Sequence, residues 1–137
     1  MADKYYLLSK DVGDGPYLIG ELSKHANNQY GFKYLIKGEK FPKWFMQLPR
    51  MASIKKTYSS NETLYYLIFR IVPEEESWQA SILMKQFDLD AYDPWTILES
   101  LIEQHEQINP DEAPLCDSHQ FFYIYKEIPE NANRFDK

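Results

Sequence analysis

Gln29-Tyr30-Gly31-Phe32-Lys33-Tyr34-Leu35-Ile36 is the stretch whose pattern decides the fold class. Tyr30, Phe32 and Tyr34 fall on one side of it, and Gly31, Lys33 and Leu35 on the other. Successive side chains of an extended backbone point to opposite faces, so this alternation marks a strand with its aromatic face on a core. Asn27-Asn28 breaks the chain before it and Lys37-Gly38-Glu39 closes it.

Toward the N-terminus two more short runs have the same character. Tyr17-Leu18-Ile19-Gly20-Glu21-Leu22 is separated from Tyr5-Tyr6-Leu7-Leu8 by the dense turn signal Asp11-Val12-Gly13-Asp14-Gly15-Pro16. Three short strands joined by turns read as an antiparallel meander. Toward the C-terminus, Pro42 and Pro49 exclude a long central strand from Phe41 to Met51. Trp44, Phe45, Met46 and Leu48 make that segment too apolar for a free loop, so it is expected to lie over the sheet. Ser53 to Tyr58 reads as an edge strand and Ser59-Ser60-Asn61 as a turn. Thr63 to Val72 is the most apolar run; its length fits either a strand or a helix, and Pro73 ends it.

Helical spacing begins after Pro73. Glu74, Glu75 and Glu76 suit a first helical turn, where carboxylates complement the positive end of the macrodipole. Trp78, Ile82, Leu83 and Phe87 follow with helical spacing. Asp93-Pro94 starts a second helix, with Asp as N-cap and Pro at the first helical position. Its apolar stripe is Leu98, Leu101, Ile102 and His105, and it is expected to run to about Gln107 before Asn109-Pro110 ends it. Phe121 to Tyr125 reads as a last strand, and Pro129 to Lys137 as a polar, loose tail. The expected architecture is α+β, with a small antiparallel sheet of about five strands and two packed helices in the C-terminal half. Residues 1–128 form one domain and residues 129–137 the tail.

Composition supports a folded core. Aromatic residues make up 16% of the 137 residues, far above a disordered chain. No apolar segment approaches the roughly 18–20 residues of a membrane span. A single cysteine, Cys116, speaks against a disulfide-stapled secreted domain. With no targeting signal at Met1-Ala2-Asp3-Lys4, a cytoplasmic location is the simplest expectation.

The net charge of −6 conceals a division. Residues 1–70 carry eleven Lys and Arg against six Asp and Glu, a net of +5, and residues 71–137 carry four against fifteen, a net of −11. Such asymmetry either steers and orients partners or is the solvated surface of acidic helices.

Catalytic spacings are absent: no phosphate-cradling glycine loop, paired-histidine zinc helix, nucleophile elbow or CxxC occurs. Cys116-Asp117-Ser118-His119 brings a thiol near an imidazole, but without a third orienting group or a second ligand pair. No catalytic residue, metal or cofactor is therefore expected. Lys33, Lys37, Lys40, Lys43, Arg50, Lys55 and Lys56 are interleaved with aromatic residues, Trp44 among them. Cations for phosphates and flat rings for bases make this a candidate single-stranded nucleic-acid face. Glu74, Glu75, Glu76, Asp88 and Asp90 form the candidate acidic face for a protein partner.

Two stretches resemble the N-terminal subdomain of HipA-type toxin kinases and the HIRAN-like proteins of bacterial mobile elements. One is Ile19-Gly20-Glu21-Leu22 with Tyr30-Gly31-Phe32-Lys33-Tyr34, similar to the family's Gly-x-Leu and Phe-x-Tyr strands. The other runs from Phe69-Arg70-Ile71-Val72-Pro73 through Phe87-Asp88-Leu89 to Asp93-Pro94-Trp95-Thr96-Ile97-Leu98. The resemblance implies a small sheet with helices packed on it, and a non-catalytic attachment that restrains a kinase. HIRAN domains are associated with single-stranded DNA ends, but no DNA-end-binding residue carries over to a position here. The leading expectation is thus a non-catalytic binding module that regulates a protein partner, with a HipA-like toxin kinase as the candidate the resemblance implies. Single-stranded nucleic-acid binding is the first alternative, and an acidic mobile-element inhibitor of a nucleic-acid enzyme the second.

Overall fold

The computed structural model describes residues 3–9, 16–25, 29–36, 57–59, 71–108 and 122–134. Its elements are β1 (Lys4–Ser9), β2 (Leu18–Lys24), β3 (Tyr30–Tyr34), β4 (Thr57–Ser59), α1 (Trp78–Gln86), α2 (Pro94–Ile108) and β5 (Phe122–Tyr125). The strands form one sheet in the order β4-β3-β2-β1-β5, and every neighbouring pair is antiparallel. The expected meander is present, and β4 occupies an edge beside β3. The fold is α+β, a five-stranded antiparallel sheet with two helices from the C-terminal half. Phe41 to Met51, residues 53–56, residues 63–70 and residues 109–121 lie outside the described residues.

Register determines which side chains share a face. Leu22 stands opposite Tyr5 on one side and Phe32 on the other. Leu7 pairs with Ile124, and Phe32 with Tyr58. Tyr5, Leu7, Leu22, Tyr30, Phe32, Tyr34 and Ile124 therefore line one face, and all are buried. Helix α2 covers that face. Trp95 is fully buried between Tyr5, at a ring separation of 5.3 Å, and Tyr30, stacked at 5.8 Å and 18°. Leu98 and Ile102, one and two turns on, complete the contact. Each such side chain contributes about 1.5–3 kcal/mol relative to exposure, so α2 is held mainly by its apolar stripe.

The second helix begins where the sequence reading puts it. One Asp93 carboxylate oxygen accepts from the Trp95 amide (3.2 Å) and the other from the Thr96 hydroxyl (2.7 Å). The Tyr30 hydroxyl donates to Asp93 as well (3.5 Å), so the cap also links helix to sheet. Leu98 and Ile102 are buried as expected, while Leu101 and His105 are half-buried. Trp95, Ile97 and Glu99 are buried too, beyond the expected stripe.

Two local expectations are corrected. Glu74, Glu75 and Glu76 precede α1 rather than forming its first turn. Ser77 is the N-cap: its hydroxyl accepts from the Ala80 amide (3.1 Å) and donates to the Glu74 carbonyl (2.6 Å). A short hydroxyl side chain satisfies an unpaired helical amide, which three exposed glutamates before it do not. The other correction concerns the expectation of a loose C-terminal segment, which is held to the sheet at Asn133. Asn133 bridges Tyr17 in parallel: its carbonyl accepts from the Leu18 amide (2.9 Å), and its amide donates to the Pro16 carbonyl (2.8 Å). Those backbone groups of β2's approach take their partners from a segment whose polar side chains gave no sign of it.

Candidate functional site

Helix α1 is short and buries only one residue, which leaves two of its large apolar side chains exposed. At about 100° per residue, Ala80, Leu83 and Phe87 fall together on one side, with Trp78 and Ile82 roughly opposite. Ala80 is the only buried residue of the helix, and Leu83 packs against the core. Trp78 is 69% exposed and Ile82 51% exposed. The expected stripe of Trp78, Ile82, Leu83 and Phe87 is therefore split. Small Ala80 lets the helix approach closely, and its phase leaves the two large residues outside.

Between α1 and the segment leading into it lies an open groove of about 580 Å³, lined by Ile71, Pro73, Glu74, Trp78, Ile82 and Leu83 among others. The segment is tied down: the Tyr92 hydroxyl donates to the Pro73 carbonyl at 2.8 Å. The far end of α1 is closed by backbone bonds. The Leu89 amide donates to the Met84 carbonyl (2.8 Å) and the Asp88 amide to the Lys85 carbonyl (3.3 Å), with Asp88 at φ 55°. This is a Schellman-type stop with an aspartate where glycine is commonest.

The candidate acidic residues cluster around this helix. Glu74, Glu75 and Glu76 are exposed just before α1, and Asp88 and Asp90 are exposed just after it. Nine helical residues span about 14 Å, so carboxylates stand at both ends of the exposed apolar ridge. Lys85 is the only basic residue between positions 71 and 93, against six carboxylates. The field is felt at Tyr92, whose hydroxyl is pushed above its ordinary pKa first by burial and then by Glu75, Glu74 and Asp93.

Other titratable groups are buried away from the groove. Burial and then Asp93 push Tyr30 up to about 12. Glu99 is 8% exposed, and burial holds its carboxyl above the usual range against the opposing pull of Trp95 and Lys24. Neither residue lines the groove. Ser23 and His25 touch on the opposite face of the sheet (Oγ to Nε2, 3.2 Å), but the Ser23 hydroxyl also donates to the Gly31 carbonyl (3.4 Å). Among the described residues no three His, Cys, Asp or Glu side chains gather as metal ligands would. Cys116 and His119 lie outside the described residues.

Of the candidate nucleic-acid face only Lys33 is described; Lys37, Lys40, Lys43, Trp44, Arg50, Lys55 and Lys56 lie outside. Lys33 is exposed on the face opposite α2, with Glu21 and Thr57 as cross-strand neighbours. Tyr6 and Tyr125 pair across strands on that same face, and Tyr123 follows two residues from Tyr125; all three are half-buried. The Lys4 ammonium sits 3.4 Å from the Glu21 carboxylate.

No protein-family model, curated protein or solved structure matches this chain. No helix of the described residues is long and apolar enough to cross a membrane.

The exposed Trp78–Ile82 ridge is the feature that sequence reading missed. Its signal was present, since the same helix held two apolar sets in different phases, with Ala80 in one of them.

Proposed function

We propose that this chain is a non-catalytic, cytoplasmic binding module that regulates a protein partner docking on α1. The observation that carries this is the exposure of Trp78 and Ile82, at 69% and 51%, beside an open apolar groove. A contiguous apolar patch with a polar rim is a common mark of a protein interface, and tryptophan is prominent among residues that dominate binding energy. The resemblance to the toxin-kinase subdomain supplies one candidate partner class, a toxin-like kinase. The test is affinity purification of the tagged chain from its source cell, beside a Trp78→Ala, Ile82→Ala variant. A partner retained by the wild type is then purified and titrated against both. The expected result is at least a tenfold loss of affinity in the variant, since two interface anchors at about 1–2 kcal/mol each are removed. Equal affinity, or a wild-type chain that elutes as a clean monomer, would count decisively against the proposal.

A second reading rests on Lys33 sharing a face with half-buried Tyr6, Tyr123 and Tyr125. A cation and rings on one face, here with Glu21 paired between Lys33 and Tyr6, are the elements single-stranded nucleic acid uses. Anisotropy of labelled oligonucleotides at two salt concentrations decides it. Absence of binding at low salt, or binding indifferent to Lys33→Ala, removes it.

A further inference from the structure

We infer that the segment which docks in the α1 groove is a cationic amphipathic helix of the partner protein; this rests on the docking proposal and specifies its occupant. Trp78 and Ile82 are four residues apart and form a ridge along α1, the geometry that interdigitates with a second helix. The groove beside them has Ile71 and Leu83 as apolar lining. Glu74 is the one carboxylate that lines it. The helix itself is flanked by exposed carboxylates, Glu75 and Glu76 before it and Asp88 and Asp90 after it. No ion pair among the described residues engages these four carboxylates. A partner helix with apolar residues at i and i+4 would fill the groove. Basic residues two to three turns apart on it would then meet both acidic ends.

Other occupants meet the same charges with the wrong sign. A second copy docking through α1 would set acidic helix ends against acidic helix ends in either orientation, and like charges at an interface are unfavourable. An anionic lipid surface would be repelled for the same reason. A neutral apolar segment would fill the groove and leave the flanking carboxylates without counter-charges.

The experiment uses the full chain and dye-labelled helical peptides of roughly 18 residues, about five turns. One peptide carries a leucine stripe with Lys and Arg elsewhere; two controls keep the stripe and replace the basic residues by Gln or by Glu. Fluorescence anisotropy should show the cationic peptide binding about tenfold tighter than the Gln peptide, and the Glu peptide weakest. Glu75→Gln with Glu76→Gln should weaken it about fivefold, two exposed charge pairs being lost. Glu103→Gln, a carboxylate exposed on α2, should leave it unchanged. Raising NaCl from about 50 mM to about 500 mM should close the gap between the cationic and Gln peptides. Thermal melts establish that the variants are folded.

Equal binding of cationic and Gln peptides, both abolished by Trp78→Ala, overturns the charge inference and leaves docking on α1 intact. Binding of every peptide that ignores Trp78→Ala overturns both. Self-association abolished by Ile82→Lys assigns the groove to a second copy. Adsorption to anionic phospholipid vesicles abolished by Trp78→Ala assigns it to a membrane. Either result overturns the inference.

Discussion

Gly20→Ala is the substitution whose cost the sheet geometry specifies most closely. Gly20 lies on the α2 side of β2, where Phe32 folds over it. An added Cβ would stand 2.4 Å from Phe32 Cζ, 2.5 Å from Cε2 and 2.7 Å from the Lys33 carbonyl oxygen. Phe32 is buried and held edge-on by Tyr34, with ring centroids 5.0 Å apart at 80°, so it has little room to retreat. The carbonyl belongs to the neighbouring strand and moves only with the sheet. Overpacking of this kind costs about 1–3 kcal/mol, and three approaches this close put the cost near the upper end. The entropy an alanine removes from the unfolded chain returns only about 0.4–1 kcal/mol. The expected net loss is about 2 kcal/mol, or roughly 6–10 °C in Tm for a chain of this size.

Gly31→Ala is the control. There the new Cβ meets His25 Nε2 at 2.7 Å and Ser23 Oγ at 3.1 Å. His25 is exposed and can swing into solvent at the expense of only its exposed contact with Ser23, so the change should stay within about 1 kcal/mol of zero. Urea denaturation followed by circular dichroism measures both. Adding Phe32→Leu to Gly20→Ala should cost less than Phe32→Leu does alone, because it withdraws the ring atoms that clash. Equal costs at the two glycines, or strict additivity in the Gly20–Phe32 cycle, would refute the packing argument.

Three further outcomes follow from particular residues. Asp88→Gly should stabilise the chain by about 0.5–1 kcal/mol, because φ 55° is strained for aspartate and natural for glycine; a lower Tm would contradict this. Asp93→Ala should cost about 1–2 kcal/mol in thermal melts, since α2 loses its N-cap and Tyr30 an acceptor; no measurable change would show the cap to be idle. Glu99 binds its proton more tightly when folded than in the unfolded chain, where it titrates near 4.5. Its ionisation therefore costs stability: the proton-linked contribution is fully present below pH 4.5 and is lost as pH rises through the raised folded value. Glu99→Gln cannot ionise, so its stability relative to wild type should improve between acid and neutral pH. Denaturation curves at both pH values check the sign, and an unchanged difference would refute it.

The proposed docking surface and the core of the sheet stand differently toward sequence. The three N-terminal strands, an edge strand reaching Tyr58, a last strand ending at Tyr125 and the Asp93-Pro94 helix start were all legible from residue order; the inclusion of Ser59 in β4 and the pairing of β5 with β1 were not. Of the candidate site, the acidic residues around α1 were legible as a composition. Their common placement at the two ends of an exposed Trp–Ile ridge was not. Ser77 is a good N-cap residue, but three glutamates before it offered a competing helix start.

Sequence by itself determined what depends on neighbours along the chain. A period of two in Tyr30, Phe32 and Tyr34 compels an extended strand with one aromatic face, because backbone pleating sends alternate side chains to opposite sides. An Asp-Pro pair starts a helix because its groups satisfy or dispense with unpaired amides within one turn. Tertiary structure decided what depends on distant surfaces. Only the body of the domain chose which apolar set of α1 to bury, seating Ala80 and Leu83 and leaving Trp78 and Ile82 in water. Only the β2 approach chose a partner for Asn133, more than a hundred residues away. Local geometry fixes the element; which face it buries is decided by the shape of what packs against it.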